Sequence, residues 1–303
     1  MSRPRNSSVI TRIKAPATSA NLGPGFDTLG LALDLKNTYT LHNSSRLGIR
    51  TVGAQSADHP HESENLTLRA FRAAFERCGL EPPPVLIEAD AQIPVGRGLG
   101  SSAAGITAGL ALARRYLNDS FDLECALEIA TEIEGHPDNV TPALVGGLVA
   151  VTRDSSGKLV HRKIPLRRPP AVHLWVPEHT LETAHSRGLL PETVRFEDAT
   201  FNLGKIAMLV TGFTTGDHRA LAAGLDDRLH QPYRAAMVPG FDHARRHAAG
   251  WGALGAFLSG SGPTIGFLVP RDSDETADAI RMGMMEFGGR LVRHRIVTRG
   301  VWS

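Results

Sequence analysis

Pro94-Val95-Gly96-Arg97-Gly98-Leu99-Gly100-Ser101-Ser102-Ala103-Ala104 is the stretch that most restricts how this chain can fold. The apolar run Val85-Leu86-Ile87 leads into it. Ala103, Ile106, Leu110, Ala113 and Leu117, spaced by three and four, lead out of it as one face of a helix. Strand, glycine loop and helix thus form one unit. Three glycines at alternate positions let the backbone turn tightly and present its N–H groups, and the helix N-terminus behind them carries roughly +0.5 of an elementary charge. Such a loop attracts phosphate. A turn capped by serine is the structural alternative.

The chain has 303 residues, enough for two lobes. Hydrophobic residues at 42% and charged residues at 21% describe a water-soluble globular protein, and a net charge of +2 provides no field that singles out nucleic acid. Lysine is confined to Lys14, Lys36, Lys158, Lys163 and Lys205, so most basic charge is arginine, whose planar fork suits carboxylates and phosphates. Cys78 and Cys125 are too few for a disulfide framework or a cysteine zinc site. The polar N-terminal tail lacks the apolar core of a secretory signal, and no segment has the roughly 18 unbroken apolar residues of a membrane helix. A cytoplasmic protein is expected.

Val9 to Ala15 alternates as a strand, whereas Pro16 to Asp27 is too rich in Pro, Gly and Asn for regular structure; strand pattern resumes from Leu29 to Leu41. Asn65 reads as the N-cap of a helix whose apolar face ends near Gly79. Asp122 starts another, stopped by Gly135 and Pro137, and Leu144 to Val151 reads as a strand, followed by Leu159 to Ile164. Pro165-Leu166-Arg167-Arg168-Pro169-Pro170 breaks all periodicity and divides the chain into residues 1–165 and 166–303. Beyond it, strands at Ala171–Val176, Ala253–Leu258, Thr264–Val269 and Leu291–Val297 alternate with helical patterns at 201–213, 217–225, 241–249 and 274–287. Interleaved strands and helices with short hairpins imply a mixed α/β fold with largely antiparallel sheets.

Glu124, Glu128 and Glu132 recur every four residues as a solvated stripe, but Glu134 lies in register with Leu123, Leu127 and Ala130 on the apolar face. A carboxylate turned inward at a helix C-terminus is opposed by the dipole and by desolvation, and Asp138 follows four residues later. A cationic partner is required. An arginine would make a buried salt bridge; a divalent metal such as magnesium suits paired carboxylates near a phosphate loop. His59 and His61 lack metal-ligand spacing.

The glycine loop is not a Walker A motif, because no Gly-x-x-x-x-Gly-Lys-Ser/Thr occurs. Nor is it a Rossmann fingerprint, which would need glycine where Ser101 stands. His-Arg-Asp and Asp-Phe-Gly are also missing, which excludes a protein kinase. Pro94 to Ala104 instead resembles the second motif of the GHMP kinase superfamily, Pro-x-Gly/Ala-x-Gly-Leu-Gly-Ser-Ser-Ala. Ala15 to Asp27 and Glu134 to Ala143 resemble the opening and middle motifs of homoserine kinases in particular. Arg228 to Arg234, Pro239-Gly240-Phe241 and Gly255 to Thr264 resemble their C-terminal blocks.

That resemblance implies a two-lobed fold, the first lobe of the ribosomal protein S5 domain 2-like type and the second ferredoxin-like. It implies transfer of the ATP γ-phosphoryl group to the side-chain hydroxyl of L-homoserine, in threonine biosynthesis. Pro94, Val95, Gly96, Arg97, Gly98, Leu99, Gly100, Ser101, Ser102, Ala103 and Ala104 would wrap the ATP phosphates, with Asn65 near the adenine. Ser102 and Glu134 would hold Mg2+. Asn21, Asp27, Asp138 and Asn139 would contact the amino and hydroxyl ends of homoserine, and Arg187 and Arg234 its carboxylate; Ser259, Gly260, Ser261 and Gly262 would close the site from the second lobe. Asp138 is expected to position substrate and is a candidate base, with Glu134 and Asn139 completing the catalytic group. His136 is expected to hydrogen-bond the backbone. A homodimer is the implied assembly, with no nucleic-acid or membrane partner. The family pattern Thr-x-Glu-Ala-Arg reads Thr183-Ala184-His185-Ser186-Arg187 here, which keeps a different acceptor, such as mevalonate or shikimate, or a non-catalytic ligand sensor, as alternatives. Within that loop the Arg97 side chain is left open between pairing with phosphate and facing solvent.

Overall fold

The computed structural model describes residues 8–58, 64–181, 183–270 and 272–303. The N-terminal tail up to residue 7, with His59 and His61, lies outside them. The first lobe is built on a long antiparallel hairpin, β1 (Val9–Asn21) and β2 (Gly25–Asn43). Around it come β3 (Gly48–Val52), α1 (Leu66–Arg77), β4 (Val85–Asp90), α2 (Ser101–Tyr116), α3 (Leu123–Glu134), α4 (Pro137–Val145), β5 (Leu148–Arg153) and β6 (Leu159–Ile164). The sheet runs β3-β4-β2-β5-β6, with β1 also on β2, and β3 is parallel to β4 while the other pairings are antiparallel. Helices α2 and α4 pack on β1 and β2, and α1 and α3 pack on α2.

Two parts of this lobe differ from the sequence expectation. Pro16 to Asn21 is strand rather than loop, because the register shifts between Pro16 and Thr18; a bulge accommodates a proline that cannot donate to the ladder. Only Leu22-Gly23-Pro24 forms the turn. Pro137 does not merely stop α3 but opens α4 at its first position, where a missing N–H costs nothing, so Leu144 and Val145 belong to that helix and β5 begins at Leu148. Gly30 allows the start of α4 to sit on β2: a Cβ there would lie 1.8 Å from the Asp138 carbonyl oxygen.

The second lobe contains β7 (Ala171–Val176), α5 (Thr183–Gly188), α6 (Phe196–Thr215), α7 (His218–Gly224), α8 (Gln231–Arg234), α9 (Phe241–His247), β8 (Gly255–Leu258), β9 (Ile265–Val269), α10 (Asp274–Met284) and β10 (Arg290–His294). Its antiparallel sheet runs β10-β7-β9-β8. The last residues cross back to the first lobe, where Val297 N–H donates to Ala32 O (2.9 Å) and Trp302 N–H to Leu144 O (2.9 Å). One apolar core joins the lobes: Phe71, Leu110 and Leu144 are continuous with Val172, Leu209 and Phe213. Burying each such side chain is worth about 1.5–3 kcal/mol, enough to hold the walls of the interlobe cleft in place.

Candidate active site

A cleft of about 390 Å³ opens between the lobes, and the glycine loop forms one wall. Gly96, Gly98 and Gly100 take φ of +65°, +69° and +64°, the left-handed region that the alternating pattern supplies. Gly100 is the N-cap of α2 and makes no side-chain capping bond, so the first-turn N–H groups of a 16-residue helix keep their donor capacity. The loop is gripped by the second lobe. Ser259 Oγ–H donates to Gly98 O (2.6 Å) and Leu181 N–H to Gly96 O (2.9 Å). Arg97 clamps it further, its guanidinium donating to the carbonyls of Val95 (3.0 Å), Pro177 (3.2 Å) and Glu178 (2.9 Å). The Arg97 side chain is therefore a loop anchor on backbone carbonyls, neither of the two roles left open by the sequence.

Glu134 ends α3 on the face that points into the cleft, as its spacing implies. Ser102 Oγ–H donates to its Oε1 at 2.6 Å. Burial raises the Glu134 pKa and Asp138 adds to that, against the hydrogen bond from Ser102 and the charge of His136. Among the described residues no lysine or arginine pairs with Glu134, so the buried-arginine alternative is not realised there. The outward stripe is solvated and individually neutralised: Glu124 by Lys158 (2.7 Å), Glu128 by Arg153 (3.4 Å) and Glu132 by Arg77 (3.1 Å).

Asn65 caps α1, accepting at Oδ1 from the N–H groups of Thr67 (3.0 Å) and Leu68 (3.4 Å). It also lines a small pocket of about 180 Å³, mostly apolar, that shares Val95, Ser101 and Ser102 with the cleft.

At the other end of the cleft, Asn21 Oδ1 accepts from Asp27 N–H (3.0 Å) while its Nδ2 donates to Gly260 O (2.8 Å), tying the hairpin turn to the second lobe. Asp27 is fixed by this bond at φ +54° and makes a two-pronged ion pair with Arg187. Arg234 is 1% exposed, yet has no carboxylate within ion-pair distance among the described residues. Burial, with the nearby Arg187 charge, pulls its pKa down to about 10, which leaves it protonated at neutral pH. Asp138 is buried and accepts from His136 Nδ1–H (2.6 Å) and Asn139 Nδ2–H (3.4 Å), and Thr18 Oγ–H donates to Asn139 Oδ1 (2.7 Å). Burial lowers the His136 pKa, but the hydrogen bond and charge of Asp138 and the charge of Glu134 outweigh it, and the net direction is upward. His136 thus bonds a carboxylate rather than the backbone, because the extended backbone before Pro137 folds its ring onto the first turn of α4. Asp27, His136 and Asp138 offer oxygen and nitrogen atoms within 4.8 Å of one another, with Arg187 already on Asp27.

The structure brings Pro94 to Ser102, Asn21, Asp27, Glu134, Asp138, Asn139, Arg187, Arg234, Gly260 and Ser261 to one cleft. Ala103 and Ala104 are buried inside α2, and Ser259 lies beneath the loop, bonded to Gly98 and Ser19. Gly262 backs the loop from below rather than lining the cleft. Phe26, Thr18 and Leu181 were missed as participants. Phe26 stands inside a recognised motif, next to Asp27, and its ring lies 5.4 and 5.3 Å from the Arg187 and Arg234 guanidinium carbons.

The family model for the N-terminal domain of GHMP kinases matches residues 65–147, and that for the GHMP kinase C-terminal region matches residues 209–284. A homoserine kinase of Moorella thermoacetica is 42% identical over 253 residues, 84% of this chain and 85% of its own length. One from Thermosynechococcus vestitus is 40% identical over 278 residues, covering 92% and 91%. Among solved structures, a homoserine kinase from Cytophaga hutchinsonii superposes with a TM-score of 0.86 at 29% identity, covering 99% of this chain and 98% of its own. The mixed α/β, two-lobed architecture is the one these relatives share.

Proposed function

This chain belongs to the homoserine kinases of the GHMP kinase family, and on that premise we propose that the interlobe cleft performs the family's phosphoryl transfer with the residues gathered there. The enzyme is a kinase that uses ATP to phosphorylate the side-chain hydroxyl of L-homoserine, giving O-phospho-L-homoserine for threonine biosynthesis. Such a transfer depends chiefly on positioning and on charge stabilisation.

The backbone N–H groups of the glycine loop and of the first turn of α2 bind the phosphates, and Asn65 borders the adenine. Ser102 and Glu134 fit Mg2+: both are hard oxygen donors, they touch, and Glu134 has no cation of its own among the described residues. When bound, the ion supplies the positive charge that neutralises phosphate oxygens, the task a P-loop gives partly to lysine. At the acceptor end Asp27 takes the ammonium group, and Arg187 with Arg234 the carboxylate. Asp138, supported by His136 and Asn139, orients the hydroxyl. Gly260 and Ser261 close the cleft from the second lobe.

The observation that carries this reading is the buried guanidinium of Arg234 beside an Asp27–Arg187 pair, in the same cleft as the glycine loop. It supplies one anionic and two cationic groups, complementary to an amino acid rather than to mevalonate or shikimate. A homodimer and a cytoplasmic location are also proposed, the latter on two free cysteines; no described helix is long and apolar enough to cross a membrane. The test is ADP release with and without L-homoserine, repeated after chelation of divalent cations. Homoserine-dependent release lost on chelation supports the reading, and release indifferent to homoserine refutes it.

A further inference from the structure

Asp227 precedes α8 and never reaches the cleft. It is 3% exposed, and its oxygens accept from Asn202 Nδ2–H (2.7 Å) and from the N–H groups of Leu229 (2.9 Å), His230 (2.9 Å) and Gln231 (2.6 Å). These bonds fix the backbone at His230, whose ring is fully buried. His230 Nε2 lies 2.7 Å from Gly23 O in the turn between β1 and β2, and His230 Nδ1 lies 3.1 Å from Nη1 of Arg234, one helical turn on.

The two partners decide the state of the ring. A carbonyl oxygen only accepts and a guanidinium only donates, so Nε2 carries the hydrogen, Nδ1 offers its lone pair and the imidazole is neutral. Burial pushes its pKa down, in agreement. Asp227 Oδ2, 3.6 Å from Nε2, is occupied by backbone donors and makes no ion pair with a neutral ring. The other bonds to Arg234 are long, 3.4 Å to Ser186 O and 3.5 Å to Gly260 O. Among the described residues, His230 thus makes the one short contact that sets the direction of the guanidinium. Phe26 stacks on the His230 ring at 5.2 Å and flanks both guanidinium groups, which leaves them little room to swing.

We infer that His230 is a positioning residue for acceptor recognition: Gly23 fixes its tautomer, and its Nδ1 lone pair aims Arg234 at the acceptor carboxylate. This rests on the homoserine reading of the cleft. Its substance is a chain of contacts in which the hairpin turn of the first lobe sets a cation of the second.

Two near-isosteric variants separate aiming from packing. His230→Asn keeps an acceptor near the Nδ1 position, whereas His230→Gln keeps a donor near Nε2 and loses that acceptor. Michaelis constants do not depend on the folded fraction. His230→Gln is expected to raise KM for L-homoserine about tenfold or more, the scale of a hydrogen bond to a charged group, and His230→Asn less than about threefold. The inhibition constant of 3-aminopropan-1-ol, which keeps the amine and hydroxyl but lacks the carboxylate, stays within about twofold in both. Equal KM increases in the two variants, or a parallel rise for the carboxylate-free inhibitor, overturn the inference. If a variant does not fold, 15N NMR of the native protein decides: a bare Nδ1 on His230 supports the inference, and a protonated one overturns it. A native enzyme that does not turn over homoserine defeats the functional reading instead, while the NMR measurement still judges His230.

Discussion

Arg187 of the second lobe grips Asp27 of the first through two hydrogen bonds, Nη2 to Oδ1 at 2.6 Å and Nη1 to Oδ2 at 3.0 Å. Both side chains are about one-third exposed at the cleft, so water and ligand reach the pair. An α-amino acid brings the complementary ammonium and carboxylate, which lets it engage both ends of the pair at once. Removing either end is expected to weaken acceptor binding selectively: Asp27→Asn and Arg187→Ala each raise KM for homoserine about tenfold or more, with KM for ATP changed less than about threefold. Steady-state kinetics with each substrate varied in turn checks this.

Glu134 and Glu132 are two residues apart and face opposite surroundings, one hydrogen-bonded to Ser102 in the cleft and the other paired with Arg77 at the surface. Glu134→Gln is expected to lower kcat by about a hundredfold or more, whereas Glu132→Gln leaves turnover within about twofold. The reverse pattern in a side-by-side assay contradicts the face assigned to each carboxylate.

The folded protein holds a proton on Glu134 more tightly than the unfolded chain does, because burial opposes its charge. Ionisation therefore costs stability as pH rises above 4.5, the ordinary value, through the raised folded pKa. Two measurements follow. In the metal-free protein the Glu134 carboxyl, followed by 13C NMR, titrates with its midpoint above 4.5, and at neutral pH Mg2+ raises the Tm of the native protein but not of Glu134→Gln.

Gly30 is a site where a single methyl group is expected to disable the enzyme without touching substrate. Its Cβ would meet backbone, the Asp138 carbonyl oxygen at 1.8 Å, so β2 and α4 must move apart. Gly30→Ala is expected to cost about 2–3 kcal/mol in denaturant unfolding and to lower kcat, since Asp138 moves with its backbone.

Where local chemistry decides structure, the sequence is readable. Asp122 and Asn65 cap their helices, and β6 and β7 have the boundaries that alternation implies. The inward position of Glu134 also follows from its register alone. What failed depended on neighbours: Pro16 joins a strand because a bulge in the β1–β2 ladder accommodates it, and the helix that Pro137 opens packs on β2 because Gly30 leaves room for the Asp138 carbonyl. Within the site, Asp27, Arg187 and Arg234 were visible through motif resemblance, but not that the first two pair and the third is buried without a carboxylate among the described residues. Ser259 shows the limit clearly. Its motif suggests a ligand contact, whereas its hydroxyl is spent on Gly98 and Ser19, which only the docking of two lobes reveals. Arg97 is the same case, since its carbonyl partners at Pro177 and Glu178 lie some eighty residues away in sequence.

The most direct test of the central claim is a competition among acceptors in one reaction with ATP and Mg2+: L-homoserine, mevalonate and shikimate together, with products read by 31P NMR and mass spectrometry. O-phospho-L-homoserine is expected as the dominant phosphorylated product, formed in step with ADP. A dominant phosphate ester of either competitor, or ADP without any phosphorylated acceptor, would contradict it.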